Sequence, residues 1–325
     1  MRIGIVGAGS WGSAFGLYLS SLGHEVILWA REKEVVESIN RYRTNELYLP
    51  GFTFPQGVRS TLDLSELSDC DILVNAVPVQ YIRSVYTKVT FRPGIIVNLS
   101  KGIEISTGKR VSEIMAEFFD CPYVVISGPS FAREVAEGKP TACVSASVDV
   151  DLAVKISNMF SSKRFRLYYS NDVIGVELGG SLKNIMAIAC GICDGLGLGL
   201  NARASLINRG LVEMARFGEY FGAKRSTFFG LSGLGDLVLT ATGDLSRNRT
   251  FGMELVKGKR VDDLLSGRYV VEGVYTTKAV YRISRDLGID MPITTEVYKV
   301  IFEGKDPRES LEDLMMRELK YEDQF

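Results

Sequence analysis

Residues 1–12 read MRIGIVGAGSWG. Ile3, Ile5 and Val6 make an apolar run of the length of a buried strand. Gly7, Gly9 and Gly12 then fall in the spacing GxGxxG, and Ala14 to Leu22 continues as a helix. Each glycine has its own reason in such a strand-turn-helix unit. The first permits the tight turn, the second lets the backbone approach a pyrophosphate, and the third lets helix and strand pack closely. The helix N-terminus, with its unpaired N–H groups, attracts the anion. The motif alone is common, but framed in this way it points to dinucleotide binding.

Working outward, the next strand, Glu25 to Trp29, ends at Ala30 and Arg31, where an NAD binder carries an acid for the ribose hydroxyls. Arg31 offers instead a planar fork of donors suited to a 2′-phosphate, so NADP is the preferred cofactor, with Glu32 close enough to keep NAD open. Apolar runs recur at Asp71 to Val77, Gly94 to Leu99 and Tyr123 to Ile126, separated by amphipathic stretches at Tyr81 to Val89 and Lys109 to Phe119. This alternation predicts a largely parallel, Rossmann-type doubly wound α/β sheet, extended by β-rich pieces at Thr141 to Ala146 and Phe165 to Tyr169. From about residue 172 the pattern turns helical, with candidates at 173–193, 203–221, 248–257, 274–286 and 294–303. The expected organisation is a dinucleotide-binding domain over 1–171 and an all-helical substrate-binding and catalytic domain over 172–325. A long helix is expected to join them, with its first turns forming the cleft.

Composition removes other classes. With 325 residues, 46% hydrophobic and 24% charged, the chain suits two domains with sizeable cores. A formal net charge of −1 and the lack of a basic run argue against nucleic acid as a partner. A signal peptide is not evident and no uninterrupted apolar segment is long enough to span a bilayer, so the expected location is cytoplasmic. Five cysteines fit a reducing compartment. Cys190 and Cys193 form a lone CxxC without the further ligands zinc needs, and read as small buried residues on one helix face. The single histidine, His24, sits in LGHEV as a solvated turn residue, which leaves a histidine base without a candidate.

Lys183 breaks an otherwise neutral, mostly apolar run from Leu178 to Cys193. A buried ammonium is costly unless paired, and burial lowers its pKa toward the range useful for proton transfer. Gly179 and Gly180 share its helix face and leave space beside the amine, for a ligand or for close packing around a structural ion pair. Ligands of open α/β sheets gather beyond the carboxyl ends of strands, which singles out Val77-Pro78, Ser100-Lys101-Gly102 and the loop 127–132. Lys101 is suited to hold a hydroxyl or stabilise charge, and Ser130 to cap a helix beginning at Phe131. Asp236 follows the glycine-rich turn of LSGLGDLVLTATG, where its carboxylate can orient Lys183 or receive a substrate hydroxyl, or serve merely as a turn residue. Ser246, Arg247, Asn248 and Arg249 cluster donors at a helix start, a composition that fits phosphate.

Taken together, GAGSWG, NLSKGIE, SGPSFAREVA, ELGGSLKNIMAIACGICDGLGLGLNARASLINRG, LSGLGDLVLTATGDLSRNRTFG and VVEGVYTT resemble, in that order and over nearly the whole chain, bacterial NAD(P)-dependent glycerol-3-phosphate dehydrogenases. The resemblance implies Lys183 as catalytic base. Beside the motif glycines Gly7, Gly9 and Gly12, it implies Ser10, Trp11, Arg31, Ala132, Val270 and Glu272 as cofactor contacts, and Asp236, Ser246, Arg247 and Asn248 as substrate contacts, Arg247 also reaching the cofactor. Lys101, Gly128 and Ser130 would lie where cofactor meets substrate. The implied reaction interconverts glycerol 3-phosphate and dihydroxyacetone phosphate by hydride transfer, supplying phospholipid synthesis; a homodimer is compatible with it. Dehydrogenases of 6-phosphogluconate or hydroxyisobutyrate share the architecture and a lysine, and a noncatalytic NADP sensor is a rival of another class.

Overall fold

A computed structural model of the chain describes residues 1–267, 270–319 and 321–322. Two compact units emerge, one of residues 1–100 and 111–173, the other of residues 101–110 and 174–325. The short excursion 101–110 thus belongs with the helices that follow 173, a membership that local patterning does not signal.

The first unit carries strands β1 (Arg2–Val6), β2 (Glu25–Trp29), β3 (Thr44–Asn45), β4 (Leu49–Thr53), β5 (Val58–Thr61), β6 (Ile72–Asn75), β7 (Ile96–Asn98), β8 (Tyr123–Ser127), β9 (Thr141–Ala146) and β10 (Phe165–Ser170). Its helices are α1 (Ser10–Ser21), α2 (Lys33–Glu37), α3 (Ile82–Tyr86), α4 (Val111–Phe118), α5 (Ala132–Ala136) and α6 (Val150–Phe160). Apart from the small β3-β4 hairpin, the strands form one sheet in the order β10-β9-β8-β7-β6-β1-β2-β5. The pairings are parallel except β8 with β9, which is antiparallel. From β5 to β8 this is the doubly wound order. β1 lies between β2 and β6, so the order reverses at its carboxyl end, where a crevice for ligand opens.

Both faces of the sheet are covered, which is why its strands read as unbroken apolar runs. Ile5 and Leu28 join one buried cluster with Phe15, Phe160 and Phe165. Val6 and Ile27 point to the other, with Leu73, Ile82, Tyr86 and Met115. α1 begins at Ser10 rather than near Ala14, because Gly9 takes the extended N-cap conformation. The sequence reading did not place β5, the hairpin or α6. His24 is half-buried, with its ring edge-on to Phe160 at 6.1 Å. Burial, more than the nearby N-terminal amine, lowers its pKa, which corrects its reading as a solvated residue.

The helices of the second unit are α7 (Val173–Gly195), α8 (Gly199–Tyr220), α9 (Arg225–Phe228), α10 (Asp236–Thr242), α11 (Arg247–Val256), α12 (Val261–Leu265), α13 (Glu272–Leu287), α14 (Pro292–Tyr298) and α15 (Pro307–Met315). A π-type turn, Leu231–Gly235, leads into α10. Their core gathers Leu182, Ile185, Met186, Met214, Phe217, Phe228 and Val280 around α7. By length and composition α7 is apolar enough to cross a bilayer, contrary to the sequence expectation. It instead forms the core of its own unit, with 94% of its most apolar window buried. Cys190 and Cys193 are buried thiols on this helix, and burial pushes Cys190 up to about 12.

Two glycines let α7 and α11 touch backbone to backbone. A Cβ at Gly191 would stand 2.0 Å from the Arg249 carbonyl oxygen, and one at Gly252 would stand 2.2 Å from that of Ile188. The N-terminus of α11 is thereby held against the middle of α7, which brings Asn248 to Asn184, the residue after Lys183.

Candidate active site

In the first unit, the turn after β1 has the shape that a dinucleotide needs. Gly7 has φ +114°, and a Cβ there would press on the Ala76 carbonyl oxygen at 2.8 Å. A Cβ on Gly12 would sit 1.9 Å from the Gly7 carbonyl oxygen, so close strand-helix packing demands glycine at this position as well. Around Gly9 the space is open, with nothing within 4 Å of a built Cβ. Among the described residues no side chain caps α1 and no acid lies in its first turn, so its leading N–H groups face an anion unopposed. Ser10 and Trp11 open this helix, and the Trp11 ring packs 5.7 Å from Phe15. α5, which starts at Ala132, lies against α1. These residues fit a bound pyrophosphate.

Arg31 extends from the end of β2 with its side chain 76% exposed and pairs with Glu32 at 2.7 Å. Glu32 also accepts from the Tyr48 hydroxyl at 3.1 Å. Gly128 follows β8 with φ +149°, and the Ser130 hydroxyl donates to its carbonyl oxygen at 2.9 Å. Ser130 therefore does not cap the next helix: α5 starts one residue later than expected, with Phe131 at the N-cap.

In the second unit, Lys183 is 7% exposed. Its amine donates to Asp236 Oδ1 at 2.9 Å and to Thr240 Oγ1 at 2.7 Å. The Thr240 hydroxyl in turn donates to the Asp236 carbonyl oxygen at 2.7 Å, so its oxygen is turned toward the lysine as an acceptor. Asp236 Oδ2 accepts from Lys101 at 2.5 Å, which places one carboxylate between two amines. Desolvation lowers the pKa of Lys183 to about 8, helped by Lys101 and Arg247 and resisted by Asp236. Burial works against the Asp236 carboxylate, but the two ammonium groups outweigh it and hold its pKa below the usual range. An ammonium has three N–H groups; among the described residues Lys183 uses two.

The space that Gly179 leaves is taken by protein: a Cβ there would meet the Ser232 carbonyl oxygen at 2.7 Å, so this glycine serves packing of α7 on the π-type turn. Ser246 N-caps α11, accepting from the Arg249 N–H at 3.2 Å. Arg247 is exposed at the first helical position and its charge reaches Lys183. Asn248 accepts from the Gly273 N–H at 3.0 Å and donates to Asn184 at 2.9 Å. Val270 and Glu272 lie three residues and one residue before Gly273, and Glu272 opens α13. Lys101, Lys183, Asp236, Arg247 and Asn248 are thus gathered around one buried cluster, with Ser246 at its margin.

Comparison with known proteins supplies the kinship. Residues 2–153 match the model for the NAD-dependent glycerol-3-phosphate dehydrogenase N-terminus, and residues 172–312 match that for its C-terminus. This chain belongs to the NAD-dependent glycerol-3-phosphate dehydrogenase family. A glycerol-3-phosphate dehydrogenase [NAD(P)+] of Thermotoga sp. is 49% identical over 323 residues, 99% of each chain. One of Syntrophotalea carbinolica is 47% identical over 331 residues, again 99% of each. The crystal structure of the glycerol-3-phosphate dehydrogenase from Coxiella burnetii superposes with a TM-score of 0.92 at 39% identity, covering 97% of this chain and 99% of that one. Within this dehydrogenase, Thr240 and Asn184 are the site residues that motif reading missed. Both had a signal: Thr240 lies four residues after Asp236, and Asn184 directly follows the lysine.

Proposed function

We propose that this dehydrogenase interconverts sn-glycerol 3-phosphate and dihydroxyacetone phosphate with NAD or NADP, the first unit holding the dinucleotide and the second the substrate. The nicotinamide, when bound, supplies the acceptor or donor of hydride. In oxidation the neutral Lys183 amine takes the proton of the C2 hydroxyl through its remaining position; in reduction its ammonium returns one to the C2 oxygen. Asp236 and Thr240 fix the direction of that amine. Lys101 adds positive charge on the opposite carboxylate oxygen, where charge on the C2 oxygen is also stabilised. Arg247, with the leading N–H groups of α11 and the Ser246 hydroxyl, is assigned to the phosphate. Asn248 is assigned to the substrate through the N–H not used on Asn184.

Gly7, Gly9, Ser10, Trp11, Gly12, Arg31, Ala132, Val270 and Glu272 are assigned to the dinucleotide by the motif and the family resemblance, and Gly128 and Ser130 to the substrate. NADP is preferred because Arg31 has the geometry for a 2′-phosphate. The product serves phospholipid synthesis. A cytoplasmic location and a homodimer complete the proposal; five free thiols support the first, and light scattering tests the second.

The observation that carries this reading is a buried lysine of depressed pKa, held by Asp236 and Thr240 in a chain of this family. Following loss of NADPH absorbance with dihydroxyacetone phosphate tests it. Turnover with that substrate is expected, and no formation of NADPH from NADP+ with 6-phosphogluconate or 3-hydroxyisobutyrate. NADPH binding without turnover of any of the three would leave a sensor and overturn the proposal.

A further inference from the structure

The excursion 101–110 leaves β7 and returns to α4, yet both of its ends are fastened to a single turn of α7. At its start the Gly102 N–H donates to Ser181 Oγ at 2.9 Å, and Ser181 donates onward to the Glu177 carbonyl oxygen at 2.7 Å. At its end Arg110 pairs with the Glu177 carboxylate at 2.9 Å, the two side chains being 15% and 4% exposed. Glu177 and Ser181 are four residues apart, so they share one face of α7, on the turn before Lys183. Between its ends the excursion closes on itself, the Glu104 N–H donating to the Lys109 carbonyl oxygen at 3.0 Å and the Gly108 N–H to that of Glu104 at 2.8 Å. Its tip is held by Arg282, which donates to the Ile105 carbonyl oxygen at 2.7 Å, and Ile103 is buried in the helical core.

We infer that Arg110, Glu177 and Ser181 are positioning residues that register this excursion on α7 and so place the Lys101 ammonium on Asp236 opposite Lys183. A buried ion pair contributes little net stability compared with an apolar substitute, whereas its fixed geometry is well suited to setting register. Arg110 is nine residues from Lys101 in sequence, but Glu177 brings both ends of the loop to one helical turn. The inference deepens the proposed function and rests on Lys183 as base. The charged groups facing Lys183 are Asp236 from α10, Lys101 from the excursion and Arg247 from α11. Of these, Lys101 alone depends on the Arg110 anchor for its backbone path. Its withdrawal removes a positive charge from beside the Lys183-Asp236 pair, and the amine holds its proton to higher pH.

The test compares pH profiles of kcat/KM for glycerol 3-phosphate oxidation in the full-length enzyme. Arg110→Met should lower kcat/KM at neutral pH by roughly ten- to a hundredfold, the cost of a misplaced group of about 1 Å. It should also move the acidic limb upward by roughly half to one pH unit. Arg110→Lys should restore part of both, and Ser181→Ala should shift the limb in the same sense. In a Lys101→Met background, adding Arg110→Met should change kcat/KM by less than about twofold, since the two act as one unit. A lowered Tm with a profile that superposes on wild type would mean that Arg110 only stabilises the fold, and losses that multiply in the double variant would mean the same. If Lys101→Met itself leaves the profile unmoved, the assignment of Lys101 falls along with its anchor. Retained turnover in Lys183→Ala would instead sink the proposed function.

Discussion

Lys183 holds its proton at a disadvantage, since desolvation on α7 costs the charged form more than Asp236 returns. With a pKa lowered to about 8, the two directions of the reaction should have mirrored pH limbs. Oxidation should rise with pH through about 8 as the neutral amine forms, and reduction should fall through the same region as the ammonium is lost. Initial rates in both directions across pH 6 to 10, roughly two units on either side of that value, read this directly. Lys183→Ala should lower kcat by roughly two to four powers of ten, while fluorescence titration finds the NADPH Kd nearly unchanged. Arg31 is a second residue with a divided role, because Glu32 occupies the guanidinium that a 2′-phosphate would claim. Glu32→Gln removes that competitor and a nearby negative charge, so affinity for NADPH over NADH should rise about tenfold by the same titration.

The α7-α11 crossing shows how helix geometry sets a site. Because Gly191 and Gly252 bring the backbones into contact, the donors at the start of α11 are delivered beside Lys183 with no loop to adjust them. Gly252→Ala should push the helices apart. The KM for glycerol 3-phosphate should then rise more than tenfold and Tm should fall, by overpacking of about 1–3 kcal/mol. Steady-state kinetics and calorimetry measure the two effects. α8 and α14 meet through a buried carboxylate. Glu213 accepts from the Ile293 and Thr294 N–H groups, both at 2.8 Å, and from the Thr294 hydroxyl at 2.6 Å, closing the N-terminus of α14. Burial pushes its pKa from 4.5 up to about 7, against these donors and Arg216. A carboxyl raised on folding contributes most below its unfolded pKa, and that contribution is lost as pH rises through the folded value. Stability should therefore decline between pH 4.5 and 7 in the wild type, and Glu213→Gln should flatten that slope in denaturant titrations.

Across the molecule, the two units have separate cores, and ligands are expected to act on them separately. NADPH alone should slow amide exchange in the β1-α1 turn, whereas glycerol phosphate should protect α10 and α11. Mass spectrometry of deuterium uptake checks this. Much of this plan could be read from residues. Strand and helix signatures around GxGxxG are local, and Lys183 stood out because one charge in an apolar run has an energetic cost wherever it folds. What escaped was set by partners distant in the chain. Gly179 looked like room for a ligand because nothing local announces the Ser232 backbone that fills it. β5 and α6 are short or mixed in pattern and are recruited by neighbours already in place, while Ser130 lost its capping role to a one-residue shift of the helix start. The excursion 101–110 was least legible of all, because its membership is decided by Glu177 and Asp236, 67 and 135 positions after Arg110 and Lys101 respectively. As the nascent chain leaves the ribosome, this segment emerges long before its anchors have been translated. A fragment truncated at residue 173 would carry Lys101 and Arg110 stranded, so the enzyme cannot be divided into two independently folding halves by a single cut.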